Sequence, residues 1–134
     1  MVRDYLHVVA QGLTDEMIAG AREHFRRRAA ERDAGLDERR RALHEAARRA
    51  ADRLAEDPSV TRVVLFGSVA TGRADERSDI DLAVFGLAPE RYFRASADAV
   101  EAAGVEVDLV RVEEAAESLK ARIDADGVVL YDAG

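Results

Sequence analysis

The sequence predicts a mixed α/β fold of the α+β type: two leading helices packed on a small mixed sheet that further helices flank. Three observations predict it. Apolar residues recur at helical spacing through about the first 56 positions, four short β-branched or alternating runs follow, and turn formers separate those runs. The length of 134 residues suits one compact core, so a single domain over 1–134 is expected, with 1–56 as a helical extension and 57–134 as the core that carries chemistry.

The first helix is expected to begin at Thr14, a side chain able to cap free backbone N–H groups, with Asp15 and Glu16 in the first turn. Met17, Ile18, Ala21, Phe25 and Ala29 fall on one face, and Gly35 reads as the break. A second helix, roughly Asp37 to Glu56, carries Leu43, Ala46, Ala47, Ala50 and Leu54 on its apolar face and ends at Asp57-Pro58-Ser59. Val60 and Val63 to Phe66 make a buried strand closed by Gly67. After the turn-rich stretch 72–78, Asp79 to Phe85 alternates, with Ile80, Leu82 and Val84 on one face and Asp79 and Asp81 on the other. A helix from Ala88-Pro89 to about Ala103 ends at Gly104, Val105 to Val110 alternates as a third strand, and a helix of about 113–125 leads into Val128 to Tyr131.

Composition narrows the function. There is no Cys, so disulfides and thiolate metal sites are excluded, and His7, His24 and His44 are scattered; any metal must sit on oxygen ligands. No apolar run is long enough to span a bilayer and the start lacks the features of a secretory signal, so a cytoplasmic protein with no membrane contact is expected. The net charge of −7 is uneven: residues 22–53 hold 11 Arg against 7 Asp and Glu, a surplus of +4, leaving −11 for the rest. An acidic total argues against a general nucleic-acid binder, because phosphate neutralisation requires a basic surface. The Arg-rich helix reads first as a solvated face with interleaved acids and second as a contact for RNA or an acidic partner.

The chemistry concentrates in one constellation. Leu65-Phe66-Gly67-Ser68 places a strand end before a tight turn, where the absent side chain of Gly67 lets phosphate approach the backbone and the Ser68 hydroxyl can bond a phosphate oxygen. Ten residues later Asp79-Ile80-Asp81 projects two carboxylates from one strand face, a pair that repels unless a cation sits between them. Magnesium suits that position, since it takes hard oxygen ligands from one or two carboxylates together with substrate phosphates. If the third strand neighbours the second, Asp108 completes a three-acid cluster able to hold two ions, although Glu106 shares its face. Arg73 and Arg77, between the turn and the acids, are either solvated or in reach of a phosphate chain.

The arrangement Gly67-Ser68, ten residues, Asp79-x-Asp81 resembles the signature of polymerase β-type nucleotidyltransferases, and the wider string LFGSVATGRADERSDIDLAVFG is similar to their minimal, or MNT, subgroup. The resemblance covers about residues 60 to 131, including VEVDLV and GVVLY, and leaves 1–56 outside it. It implies the polymerase β-type fold and the transfer of a nucleoside monophosphate from an NTP, ATP by family analogy, to an acceptor hydroxyl. It further implies that Asp79, Asp81 and Asp108 hold two magnesium ions, that Gly67 and Ser68 bind the nucleotide's phosphates, that Asp108 helps remove the acceptor proton, and that a HEPN-domain toxin is the partner, modified on a tyrosine. A small-molecule nucleotidyltransferase of the aminoglycoside-modifying kind and a non-catalytic antitoxin that neutralises by binding are the alternatives. The apolar face of the leading helices leaves a partner or a second copy of this chain open.

Overall fold

The computed structural model describes residues 14–74 and 79–134. Helix α1 runs unbroken from Asp15 to Leu54, 40 residues, so the expected pair of N-terminal helices is one. The Thr14 cap forms as expected, its Oγ1 accepting from Met17 N at 3.1 Å. Gly35 does not end the helix because a glycine stops one by turning left-handed, and Gly35 is not among the positive-φ glycines. Kept helical, it costs only about 1 kcal/mol relative to alanine, too little to interrupt propagation through the Arg-, Ala- and Glu-rich sequence on either side.

Contacts divide the chain after Leu36. Residues 14–34 are exposed throughout, including Met17 and Phe25, which the apolar spacing alone would have buried. From Leu43 the character of α1 changes: Leu43, Ala46, Ala47, Ala50, Ala51 and Leu54 are buried. Asp57 then shapes the exit turn. Its Oδ1 accepts from the N and Oγ of Ser59 at 2.9 and 2.7 Å and its Oδ2 from Arg91 at 2.9 Å. Hydrogen bonds from Ser59, then Arg91, hold its carboxyl down to about 2.

Strands β1 (Arg62–Phe66), β2 (Ile80–Phe85), β3 (Val107–Arg111) and β4 (Val128–Asp132) form one sheet in the order β3-β2-β1-β4. The sheet is mixed: β1 pairs antiparallel with β2 and β4, and β2 pairs parallel with β3. Between β1 and β2 lies the one-turn helix α2 (Gly67–Ala70); between β2 and β3 lie a 3-10 turn (Pro89–Arg91) and α3 (Tyr92–Ala103); α4 (Glu117–Asp126) precedes β4. Gly104 closes α3 in the left-handed conformation, and Arg49 of α1 donates to the last carbonyls of α3, Ala102 and Ala103, at 3.1 and 3.0 Å.

Period-two alternation gives the sheet two apolar faces. Val63, Leu65, Ile80, Leu82, Val84, Val107 and Leu109 join α1 and α3 in the main core, whereas Val64, Phe66 and Ala83 meet Ile123 of α4 in a smaller cluster. On the face of the smaller cluster Asp81 is half-buried and its neighbour across the strands, Asp108, is exposed. The continuity of α1 is testable: Gly35→Ala, where an added Cβ meets nothing within 4 Å, raises helical content and stabilises the helix by about 1 kcal/mol, read by circular dichroism during thermal unfolding. A neutral or destabilising result would restore a helix break at Gly35.

Candidate active site

The site is assembled by strand register. In the β1–β2 pair Phe66 lies opposite Asp81, and in the β2–β3 pair Asp81 lies opposite Asp108. Three consecutive strands therefore carry the turn, the central acid and the third acid side by side. Asp79 stands just outside β2, which begins at Ile80, so the expected strand loses its first residue while the acid stays two positions from Asp81. Register also separates Asp108 from its competitor: Glu106 precedes β3, its backbone carbonyl accepting from Ile80 N at 3.3 Å, and Asp108 is the acid level with Asp81.

Gly67 follows β1 with φ of 75°, and a Cβ placed there would fall on the Asp81 carboxylate, against Oδ2. The missing side chain thus makes room for the Asp81 carboxylate. Ser68 and Thr71 continue the turn. Thr71 N donates to Gly67 O at 3.2 Å, and the Thr71 hydroxyl is placed to donate to Gly67 O at 3.2 Å or to Ser68 O at 3.4 Å. Arg73 N then donates to Ser68 O at 2.9 Å and Arg40 Nε to Ala74 O at 3.1 Å, fixing the start of the loop that returns to the acids. Arg77 lies outside the described residues.

Burial pushes the Asp81 carboxyl above the ordinary carboxylate range, Asp108 and then Asp79 push it the same way, and Arg122 opposes them. Register sets Asp108 opposite Asp81, and Asp79 stands two residues before it, just outside the strand. Among the described residues no group of three or more acids or histidines is placed to hold a metal ion as the side chains stand. Uncompensated carboxylates repel, and magnesium is commonly held by one or two carboxylates with water and phosphate completing its shell, so an open set of hard oxygen donors fits it.

Two recesses adjoin the acids. A cleft of about 310 Å³ is lined by Gly67, Ser68, Thr71, Arg73, Arg122 and Asp126. A groove of about 490 Å³ is lined by Asp108 with Tyr92, Phe93, Leu109 and Arg111. Tyr92 is anchored there by its hydroxyl, which donates to Leu109 O at 2.7 Å, while Phe93 is 84% exposed. Arg122 was missed from the sequence. Its only signal was a cation in a segment dominated by acids, Glu113, Glu114, Glu117, Asp124 and Asp126, with nothing to say which way it faces.

A polymerase beta nucleotidyltransferase family model matches residues 49–133. No curated protein matches the chain. Among solved structures, a chain of a toxin–antitoxin with AMP-PNP is similar at 27% identity and a TM-score of 0.56, over 63% of this chain and 73% of that one. A mutant of the toxin–antitoxin MntA-HpeT is similar at 26% identity and a TM-score of 0.54, over 60% and 69%. A second mutant of it is similar at 27% identity and a TM-score of 0.53, over 60% and 68%.

Two outcomes follow from the geometry. Gly67→Ala destabilises the fold by about 1–3 kcal/mol, from the left-handed backbone and the collision with Asp81, measured by denaturant unfolding. Unchanged stability would mean that Asp81 does not pack on Gly67. Asp81 titrates above the ordinary carboxyl value in the folded chain, so the fold holds that proton longer than the unfolded chain does. Stability contributed there is lost as pH rises from the ordinary carboxyl value through the raised one. Asp81→Asn consequently raises Tm at neutral pH in the presence of a chelator, and a lowered Tm would show that the acids do not oppose one another.

Proposed function

Because the chain belongs to the polymerase beta nucleotidyltransferase family, we propose that it transfers AMP from ATP to an acceptor hydroxyl, a tyrosine of a partner HEPN-domain toxin, and so acts as the antitoxin of a pair. The observation that carries this reading is the register that sets Asp81 between the Gly67-Ser68 turn and Asp108. The match to a toxin–antitoxin with AMP-PNP supports both the nucleotide and the partner class. In this reading 57–134 is the catalytic core and 1–56 a helical extension within a single domain.

Asp79, Asp81 and Asp108 would hold two magnesium ions, which when bound supply charge neutralisation and Lewis-acid polarisation at the α-phosphate. The chain's own groups do the rest. Gly67 allows the phosphates close to the backbone, and the Ser68 hydroxyl, in the cleft, orients the terminal phosphates so that pyrophosphate can depart in line with the attacking oxygen. The acceptor oxygen forms its bond to the α-phosphorus as the bond to the bridging oxygen breaks. The acceptor's proton passes to the Asp108 carboxylate, which is exposed on the groove side, where an acceptor can approach. Fixed dipoles and charges that need no rearrangement lower the barrier further.

A small-molecule acceptor is the second reading, favoured by the groove of about 490 Å³ beside Asp108, which is of small-ligand size and has an exposed aromatic ring. One experiment separates the readings. The purified chain is incubated with magnesium, α-labelled ATP, source lysate and a candidate HEPN protein, with the Asp79→Asn, Asp81→Asn double variant alongside. Label on a protein band, reduced at least about a hundredfold in the variant, is expected, since removal of one charge-stabilising group from a transfer site costs that order of rate. Label on a small molecule would favour the second reading. Tight partner binding without transfer of any nucleotide would replace both with a non-catalytic antitoxin.

A further inference from the structure

Arg122 lines the cleft beside the Gly67-Ser68 turn. It lies on α4, a helix that belongs to neither the Gly67-Ser68 turn nor the acid strands, yet it lines the same cleft of about 310 Å³ as Gly67, Ser68 and Arg73. Its position is fixed from below. The next residue, Ile123, is 3% exposed and packs on Val64, Phe66 and Ala83, and Ile123 O accepts from Gly127 N at 2.9 Å where α4 turns into β4. α4 is thereby pinned to the strands that carry Phe66 and Asp81, and Arg122 is carried with it.

Charge gives the position meaning. The chain outside residues 22–53 carries −11, and the cluster of Asp79, Asp81 and Asp108 adds repulsion where a polyphosphate must enter. The other cation near the middle of α4, Lys120, is paired with Glu117 at 3.3 Å, whereas the described ion pairs do not include Arg122. With Arg73 it gives the cleft two cations against the one acid of its lining, Asp126. A guanidinium offers paired N–H donors that match phosphate oxygens.

We propose that Arg122 is a specificity-determining residue that contacts the phosphates beyond the α-position, so that the site selects nucleoside triphosphate over monophosphate. The inference rests on the nucleotide-transfer reading above and adds to it a residue outside the turn and the three acids.

The test measures binding of magnesium–ATP and magnesium–AMP to the full chain by calorimetry, for the unsubstituted protein, Arg122→Ala and Arg122→Lys. Arg122→Ala should weaken ATP binding on the order of tenfold while changing AMP binding little, as expected for loss of a charge-assisted hydrogen bond. Arg122→Lys should recover part of the loss, because it keeps the charge but not the paired donors. Arg122 is exposed, and circular dichroism checks that both variants remain folded at the temperature of the binding measurement. Unchanged ATP affinity in Arg122→Ala, or equal weakening of ATP and AMP, overturns the assignment and leaves the transfer reading standing. If the unsubstituted protein binds neither nucleotide, the transfer reading fails and this inference with it.

Discussion

The Asp81 carboxylate rests on the α-carbon of Gly67, where any side chain would displace it. Because β1 and β2 are paired antiparallel with Phe66 opposite Asp81, the residue that leaves β1 meets the acid that enters β2. The left-handed backbone at Gly67 then turns the chain into α2, placing Ser68 at the cleft rather than continuing the sheet. The parallel pairing of β2 with β3 extends the same line to Asp108. Phe66, Asp81 and Asp108 are thus held by backbone hydrogen bonds of one sheet, which is more rigid than a set of residues held on loops, and the Gly67-Ser68 turn follows directly from it.

Crowding acids is unfavourable in the absence of a cation, and the fold tolerates it because the other face of the same strand is among the best packed parts of the protein. Ile80, Leu82 and Val84 are fully buried, and each contributes roughly 1.5–3 kcal/mol by leaving water. Alternation lets one strand satisfy both demands, apolar on the core side and acidic on the site side. The raised carboxyl of Asp81 is the trace of that compromise, set by burial first and by the neighbouring acids second.

Helix α1 divides its roles along its length. Its C-terminal part supplies small and medium apolar side chains to the main core, and its arginines tie neighbouring segments: Arg40 to the loop after α2, Arg49 to the end of α3, and Arg53 to Glu56 and Asp98. Part of the arginine surplus of this helix is therefore structural. Met17 and Phe25, in the N-terminal part, are exposed, so helical spacing of apolar residues marks a face without guaranteeing what covers it.

The sequence by itself determined the elements whose signals are local. The alternation of residues 80–85, the Gly67-Ser68 turn, the cap at Thr14, the end of α3 at Gly104 and the spacing from Ser68 to Asp79 each depend on side chains close together in the chain. Ends and breaks were less legible: β3 begins at Val107 rather than Val105, and α4 starts at Glu117 after a separate 3-10 turn at Val112–Glu114. Gly35 carried a local signal that favoured a break, but the cooperativity of the surrounding helix outweighed about 1 kcal/mol of glycine propensity. Only the tertiary structure decided that Asp108 and not Glu106 stands level with Asp81, because register is a relation between strands that no single strand encodes. It also decided that Arg122 lines the same cleft as Gly67 and Ser68, since α4 is held there by Ile123 docking on strands forty residues or more away in sequence, where burial acts through space rather than along the chain.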